Sequence, residues 1–262
     1  MTEPVLPTEA AGLPNGGRMP LLGFGTWQIL GDEATAATRT ALAAGYRHVD
    51  TATVYDNEGE VGAALRDGGV RREDVFVTTK VPPHAAGRER ETLGQSLRLL
   101  GTEYVDLWLI HWPPDDGLGL GMWEAMLRAR DEGLVRDVGV SNYDLDQLDA
   151  LGSATGVLPA VNQIRWSPLL YDAKVEQGHR ERGVVLEGYS ALRNGTLEHP
   201  VVLGIAERLG RTPAQVIIRW HIEHGVVVIP KSRNAERIRS NADVGGFTLS
   251  PDDVAALDAL GT

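Results

Sequence analysis

The chain contains no cysteine. That excludes disulfides, thiolate metal sites and a cysteine nucleophile. It also suits a reducing compartment, so the cytoplasm is the expected location. No run of about 18 apolar residues occurs, and no membrane span is expected. Met1-Thr2-Glu3-Pro4 lacks the basic and then apolar order of a signal peptide. Positive charge is scarce: 25 Lys and Arg against 36 Asp and Glu leave a net charge of −11. General binding to nucleic acid or an anionic membrane needs a basic face, so neither is expected as a partner. A G-x-G-x-x-G turn is missing too. Gly23-Phe24-Gly25 is followed by Gln28 where the third glycine belongs, which argues against a dinucleotide-binding doubly wound sheet.

What is present is alternation. The 262 residues, 42% of them apolar, suit one domain over 1–262 with a sizeable core. Apolar, β-branched runs predict strands at 21–26, 46–51, 75–80, 105–111, 135–141, 160–164, 184–189 and 226–231. Helical periodicity follows each, at 32–44, 57–66, 89–100, 121–132, 144–151, 172–182, 200–223 and 234–241. A last helix over 251–260 starts with Ser250 as cap and Pro251 in the first turn. Pro14-Asn15-Gly16-Gly17 signals a turn, so an N-terminal β-hairpin is expected, covering the bottom of the fold. Eight strand–helix units in order predict an α/β protein, a (β/α)8 TIM barrel.

Polar residues gather at the C-terminal strand ends: Thr26-Trp27, Asp50, Lys80, His111, Ser141-Asn142, Gln163, Tyr189 and Lys231-Ser232. In a barrel of this kind those ends meet at one mouth, where active sites lie. Each has an ordinary reading when taken singly. Asp50 is then a turn former, Lys80 a lysine reaching solvent, His111 a satisfied rim residue, and Tyr55 and Tyr189 are packing. Several ionisable groups at adjacent strand ends point instead to one pocket. The cluster Lys231-Ser232-Arg233 with Arg237 is either a solvated helix face or an anion site at a helix start. His221 and His224 stand three apart, but no acidic or cysteine partners suggest a metal site, so no metal is expected. Gly117-Leu118-Gly119-Leu120-Gly121 reads as a flexible lid rather than a phosphate cradle.

Gly45-Tyr46-Arg47-His48-Val49-Asp50-Thr51-Ala52, then Tyr55, Asn57-Glu58 and Gly62, resembles the first signature of the aldo-keto reductases. Thr78-Thr79-Lys80 and Asp106-Leu107-Trp108-Leu109-Ile110-His111-Trp112-Pro113 resemble their lysine and histidine strands. Gly139-Val140-Ser141-Asn142, Asn162-Gln163 and Pro230-Lys231-Ser232 with Arg237 and Asn241 continue the match, which runs in order from about 13 to 260. It is most similar to the bacterial diketogluconate reductase branch. The resemblance implies reduction of small aldehydes, ketones or α-dicarbonyls by a catalytic tetrad of Asp50, Tyr55, Lys80 and His111. Tyr55 gives the proton, Lys80 lowers its pKa, Asp50 holds Lys80, and His111 orients the carbonyl. It further implies that Thr26 and Asp50 touch the cofactor, that Ser141, Asn142 and Gln163 grip the nicotinamide carboxamide and that Tyr189 stacks on its ring. Ser190 and Leu192 would follow the pyrophosphate. Lys231, Ser232, Arg233 and Arg237 would hold the 2′-phosphate, with Asn241 also touching the cofactor, so NADPH (NADP+) is preferred and NADH is the lesser option. Trp27, Trp112 and Trp166 would wall the substrate pocket. The family is commonly monomeric.

Three features depart from the pattern. No tail follows the last helix, which implies an open, permissive pocket. Arg165-Trp166-Ser167-Pro168 stands where the family has an acid first and a histidine before proline. The 193–199 loop is short, which implies looser cofactor retention. Two other functions fit parts of this reading: a nicotinamide-binding sensor with little turnover, and a hydrolase or isomerase using Asp50 and His111.

Overall fold

The computed structural model describes residues 3–115 and 117–261. Two short strands, β1 (Ala10–Gly12) and β2 (Arg18–Pro20), pair antiparallel. Gly16 takes a φ of +82° in the turn between them, a conformation that favours glycine. The Asn15 amide donates to the Arg136 carbonyl at 3.0 Å and to Asp137 Oδ1 at 2.9 Å. The hairpin therefore sits under the N-terminal end of a strand, opposite the mouth, as expected.

Eight further strands form one parallel sheet in chain order. They are β3 (Phe24–Gly25), β4 (His48–Asp50), β5 (Phe76–Val81), β6 (Val105–Ile110), β7 (Val135–Ser141), β8 (Val161–Arg165), β9 (Val185–Tyr189) and β10 (Val227–Val228). The sheet curls until its edges meet. Leu22 bridges Val228 in parallel, with Gly23 N donating to the Val228 carbonyl at 2.9 Å and Val228 N to the Leu21 carbonyl at 2.8 Å. The outer strands are shorter than the apolar runs that predicted them.

Strand residues alternate between two faces. Val49, Val77, Trp108 and Ile110 pack outward against helix residues such as Leu65, Leu93 and Trp123. The intervening positions, among them His48, Asp50, Thr78, Lys80 and Glu187, are fully or almost fully buried as well. The interior therefore holds several buried polar side chains, with Asp50 and Lys80 at the C-terminal strand ends.

Ten α-helices surround the sheet among the described residues. The first three are α1 (Gly31–Ala43), α2 (Glu58–Asp67) and α3 (Glu89–Leu100). The signature residue Gly62 lies where α2 crosses the end of α3: a Cβ there would stand 2.3 Å from the Leu99 carbonyl oxygen. Next come α4 (Leu120–Asp131), α5 (Leu145–Thr155) and α6 (Ala173–Glu181). The helix expected over 200–223 is two, α7 (Pro200–Leu209) and α8 (Pro213–Glu223). Gly210 at φ +60° ends the first, and a Thr212–Gln215 capping box with Pro213 in the first turn starts the second. Both signals stand in Gly210-Arg211-Thr212-Pro213, inside one continuous apolar periodicity. Last are α9 (Ala235–Ala242) and α10 (Pro251–Asp258), the latter capped by Ser250 as expected. Among the described residues, no helix is long and apolar enough to cross a membrane.

Candidate active site

The strand ends place their side chains around one cavity of about 620 Å3. Lys80 is wholly buried beneath it. Its Nζ donates to Asp50 Oδ1 at 2.6 Å, Asp50 Oδ2 at 2.8 Å, the Thr51 carbonyl at 2.9 Å and the Tyr55 hydroxyl at 3.4 Å. Burial opposes the Lys80 charge, but Asp50, with Tyr55 and Glu187 adding, outweighs it and holds the ammonium above its ordinary pKa. Tyr55 ends a 3-10 turn, Thr53–Tyr55, which the Thr53 hydroxyl anchors to the Lys80 carbonyl at 2.8 Å.

The expectation that Lys80 lowers the Tyr55 pKa holds only in part. Burial raises the phenol first, the Lys80 charge and hydrogen bond pull it down, and Asp50 and Glu187 push it back up. The net direction is upward. His111 lines the cavity, packs edge-on to Tyr55 at 5.6 Å between ring centres and stacks on Trp112 at 4.0 Å. Burial, then the Lys80 charge, pushes its pKa down to about 2. The ring is therefore a neutral imidazole that offers one N–H. The structure thus brings Asp50, Tyr55, Lys80 and His111 together.

One wall of the cavity is a hydrogen-bonded chain. Gln163 Nε2 donates to Asp50 Oδ2 at 2.9 Å, Ser141 Oγ to the Gln163 carbonyl at 2.8 Å, Asn142 Nδ2 to Ser141 Oγ at 3.0 Å and the Tyr189 hydroxyl to Asn142 Oδ1 at 2.8 Å. Asn142 and Ser190 hold φ values of +64° and +57°, sparsely populated backbone that clusters at functional sites. Leu192, Lys231, Ser232, Arg237 and Asn241 also line the cavity. Burial, then the nearby charges of Arg233 and Arg193, pushes the Lys231 pKa down. Like charges are crowded here, which suits an anion.

Three expected contacts are placed differently. Trp166 is no pocket wall: it is buried in the apolar core, edge-on to Tyr171 at 5.8 Å. Inward–outward alternation through Gln163 and Arg165 carries Trp166 away from the mouth. Arg233 turns outward to pair with Glu33 at 3.2 Å, both exposed, so it touches the site only through its charge on Lys231. Thr26 lies under the cavity, where its hydroxyl donates to the Asp50 carbonyl at 2.9 Å. Trp27 and Trp112, 42% and 47% exposed, do line the mouth. Arg165 is exposed and off the cavity wall. The glycine segment is tied at two points to the start of α5 and the residues before it. Gln147 Nε2 donates to the Gly117 carbonyl at 2.7 Å, and the Tyr143 hydroxyl to Leu118 at 3.0 Å. Among the described residues, no cluster of three or more His, Asp or Glu is arranged to hold a metal ion.

Sequence reasoning gave Asn57 only as a signature residue, without a role, and passed over Glu187. Asn57 is buried, accepts from the Thr51 hydroxyl at 2.7 Å and donates to the Thr26 and Ile29 carbonyls at 2.9 Å, tying the first two strand loops together. Glu187 lies inside the sheet beside the tetrad. The signal was a carboxyl between Leu186 and Gly188 in an otherwise apolar strand. Arg193 was expected only in a short loop. It lies over the Trp27 ring at 4.7 Å and donates to Gln28 Oε1 at 3.3 Å, spanning the mouth.

The family model described as the aldo/keto reductase family matches residues 21–203 and 200–262. An aldo-keto reductase of Mycolicibacterium smegmatis is 44% identical over 254 residues, covering 95% of this chain and 92% of that protein. The methylglyoxal reductase DkgA of Escherichia coli strain K12 is 39% identical over 252 residues, with coverage of 95% and 92%. The crystal structure of an aldo/keto reductase from Brucella melitensis superposes with a TM-score of 0.93 at 41% identity, covering 98% of this chain and all of that one. With the signature residues assembled around one cavity and the family model matched from residue 21 to residue 262, this protein belongs to the aldo-keto reductase family.

Proposed function

We propose that the protein reduces small aldehydes, ketones or α-dicarbonyls to alcohols with NADPH, and that Tyr55 supplies the proton. The observation that carries this reading is the buried Lys80 ammonium, fixed by Asp50 and reaching the Tyr55 hydroxyl on a wall shared with His111. In this reading the curled sheet is a closed (β/α)8 barrel with its site at the usual mouth.

The cofactor supplies the hydride. The side chains supply the rest. The neutral His111 ring donates to the carbonyl oxygen and fixes its direction. As the carbonyl carbon gains the hydride, the oxygen takes the Tyr55 proton, and Lys80 stabilises the phenolate left behind. General acid help of this kind is worth roughly 10²–10⁴-fold. Ser141, Asn142 and Gln163 carry amide and hydroxyl groups suited to a carboxamide, and Tyr189 offers an aromatic face beside them. Lys231, Ser232, Arg237 and Asn241 suit the phosphate end, where a 2′-phosphate would relieve the crowding of positive charge around Lys231. The name of the DkgA relative makes methylglyoxal the α-dicarbonyl to try first.

The test is NADPH oxidation with a panel of small aldehydes and α-dicarbonyls, comparing the parent with Tyr55→Phe, alongside NADPH binding by fluorescence. Turnover that collapses in Tyr55→Phe while binding survives supports the reading. Binding without turnover in the parent would favour a sensor instead, and absence of binding would sink the proposal.

A further inference from the structure

Glu187 lies on β9, in register with Gln163 of β8 on one side and Val227 of β10 on the other. Its side chain is 0% exposed, and neither carboxyl oxygen makes a well-formed hydrogen bond. Buried polar groups nearly always have partners, so two orphaned oxygens on one carboxyl are unusual. They are more unusual a few side chains from a proposed proton donor.

The surroundings define what this carboxyl can do. From β4, His48 Nε2 stands 3.9 Å from Glu187 Oε1, and Asp50 adds a negative charge. From β5, Lys80 adds a positive one. From β8, Gln163 leans toward Glu187 but commits its Nε2 to Asp50 Oδ2. His48 is no counterion, since burial first of all pushes its pKa down to about 3. Lys80 is already shared between both oxygens of Asp50, Thr51 and Tyr55. An ionised Glu187 would therefore be buried with no cation of its own, which is costly. Burial, with Asp50 adding, accordingly pushes its pKa up to about 8. The charge of Glu187 in turn acts on both Lys80 and Tyr55, raising each.

We propose that Glu187 is a positioning residue for the Asp50–Lys80–Tyr55 array, a buried carboxyl held as the neutral acid whose ionisation makes the Tyr55 phenol harder to deprotonate. The proposal rests on the reading of Tyr55 as proton donor given above. In the reducing direction, neutral Glu187 leaves the Lys80 charge undiluted for the phenolate that forms. In the oxidising direction, where Tyr55 must first lose its proton, ionised Glu187 acts as a brake.

The test uses Glu187→Gln, close in shape and unable to ionise. In a spectrophotometric tyrosinate titration, with Tyr55→Phe subtracted to isolate one phenol, Tyr55 in Glu187→Gln should ionise about one pH unit below the parent. The rising limb of the alcohol-oxidation pH profile should move by the same amount. Glu187→Asp, which keeps the charge, should stay near the parent. An unmoved Tyr55 titration overturns the proposal, whatever happens to stability. The titration needs no turnover, so an absence of carbonyl reduction would sink the function proposed above and leave this result to be decided separately. If Glu187→Gln does not fold, the parent alone decides. An infrared band of a protonated buried carboxyl should be present near pH 6 and absent near pH 10, and its absence near pH 6 would overturn the proposal.

Discussion

Lys80 donates from one buried ammonium to both carboxylate oxygens of Asp50, at 2.6 and 2.8 Å. A surface pair of this kind would be worth little, but this one is almost fully buried at the floor of the cavity, where losing a partner leaves a desolvated charge. The pair orients the ammonium toward Tyr55 and is held in turn by Gln163 on Asp50.

Removing the carboxylate charge should damage fold and chemistry together. Asp50→Asn leaves a buried ammonium without its counterion, and breaking a buried pair costs about 3–5 kcal/mol. A drop of several degrees in Tm is expected, with kcat for carbonyl reduction down by roughly 10²–10⁴-fold. Lys80→Met should show a similar loss of kcat with NADPH binding largely retained. Calorimetry and steady-state kinetics on the two variants check this, and a variant with near-parent kcat would remove the tetrad from the mechanism.

The phosphate end makes a separable prediction. Arg237 lines the cavity near the start of α9, where the Asn234 side chain accepts from the Arg237 backbone N–H at 2.9 Å and fixes the turn. If its guanidinium meets the 2′-phosphate, Arg237→Ala should raise the KM for NADPH by about 10–100-fold, in line with a charge-assisted hydrogen bond. The KM for NADH should change by no more than about twofold. An equal rise with both cofactors would place Arg237 elsewhere.

Gly62 offers a prediction about the fold alone. A Cβ at this position meets the Leu99 carbonyl oxygen at 2.3 Å and the Leu100 Cα at 2.7 Å. The obstacle is backbone, which cannot swing aside as a side chain can. Gly62→Ala should therefore lose about 1–3 kcal/mol in urea unfolding, although alanine is the better helix former. A stabilised variant would show that α2 and α3 separate at little cost.

These cases also show what was legible in the sequence. Strand-end residues such as Asp50, Lys80 and His111 were readable because parallel strands present their C-terminal ends to one mouth, whatever the packing. Gly62 was visible as a signature residue, but its reason lies in the approach of two helices far apart in sequence. Trp166 was misplaced because its direction depends on where β8 ends, and a shift of one residue exchanges inside for outside. Glu187 went unnoticed because one carboxyl in an apolar strand has no partner in sequence. Asp50 and Lys80, the charges that act on it, come from strands more than one hundred residues away. The 200–223 region was over-joined because apolar periodicity persists through Gly210, and the break is made by cap geometry.

His224 makes the last prediction, on stability against pH. It ends α8 and stands between two acids: Nδ1 faces Glu176 Oε2 of α6 at 3.1 Å, and Nε2 faces Asp258 Oδ1 of α10 at 3.0 Å. The Trp220 indole N–H donates to the same Asp258 oxygen at 2.7 Å, so this corner ties the C-terminal helix to the body. A ring with a carboxylate at each nitrogen can satisfy both only as imidazolium. Burial opposes that charge, yet Glu176, followed by Asp258, outweighs it and raises the His224 pKa above its ordinary value. A histidine raised in the folded state stabilises fully below its unfolded pKa of about 6.5 and loses that contribution as pH climbs through the folded value. His48, His111, His179 and His221, all lowered, act in the opposite sense as pH falls below about 6.5. The His48, His111 and His179 shifts owe nothing to His224 and cancel between parent and variant, while the His224 charge is the last of the causes acting on His221 and leaves only a small remainder there. The Tm gap between the parent and His224→Ala should therefore be widest near pH 6 and narrow toward pH 9, leaving a residue from lost packing on Tyr171 and Trp220. Asp258→Asn should reduce the pH-dependent part. A gap that stays constant across this range would mean that the ring is neutral and that the clasp is packing alone.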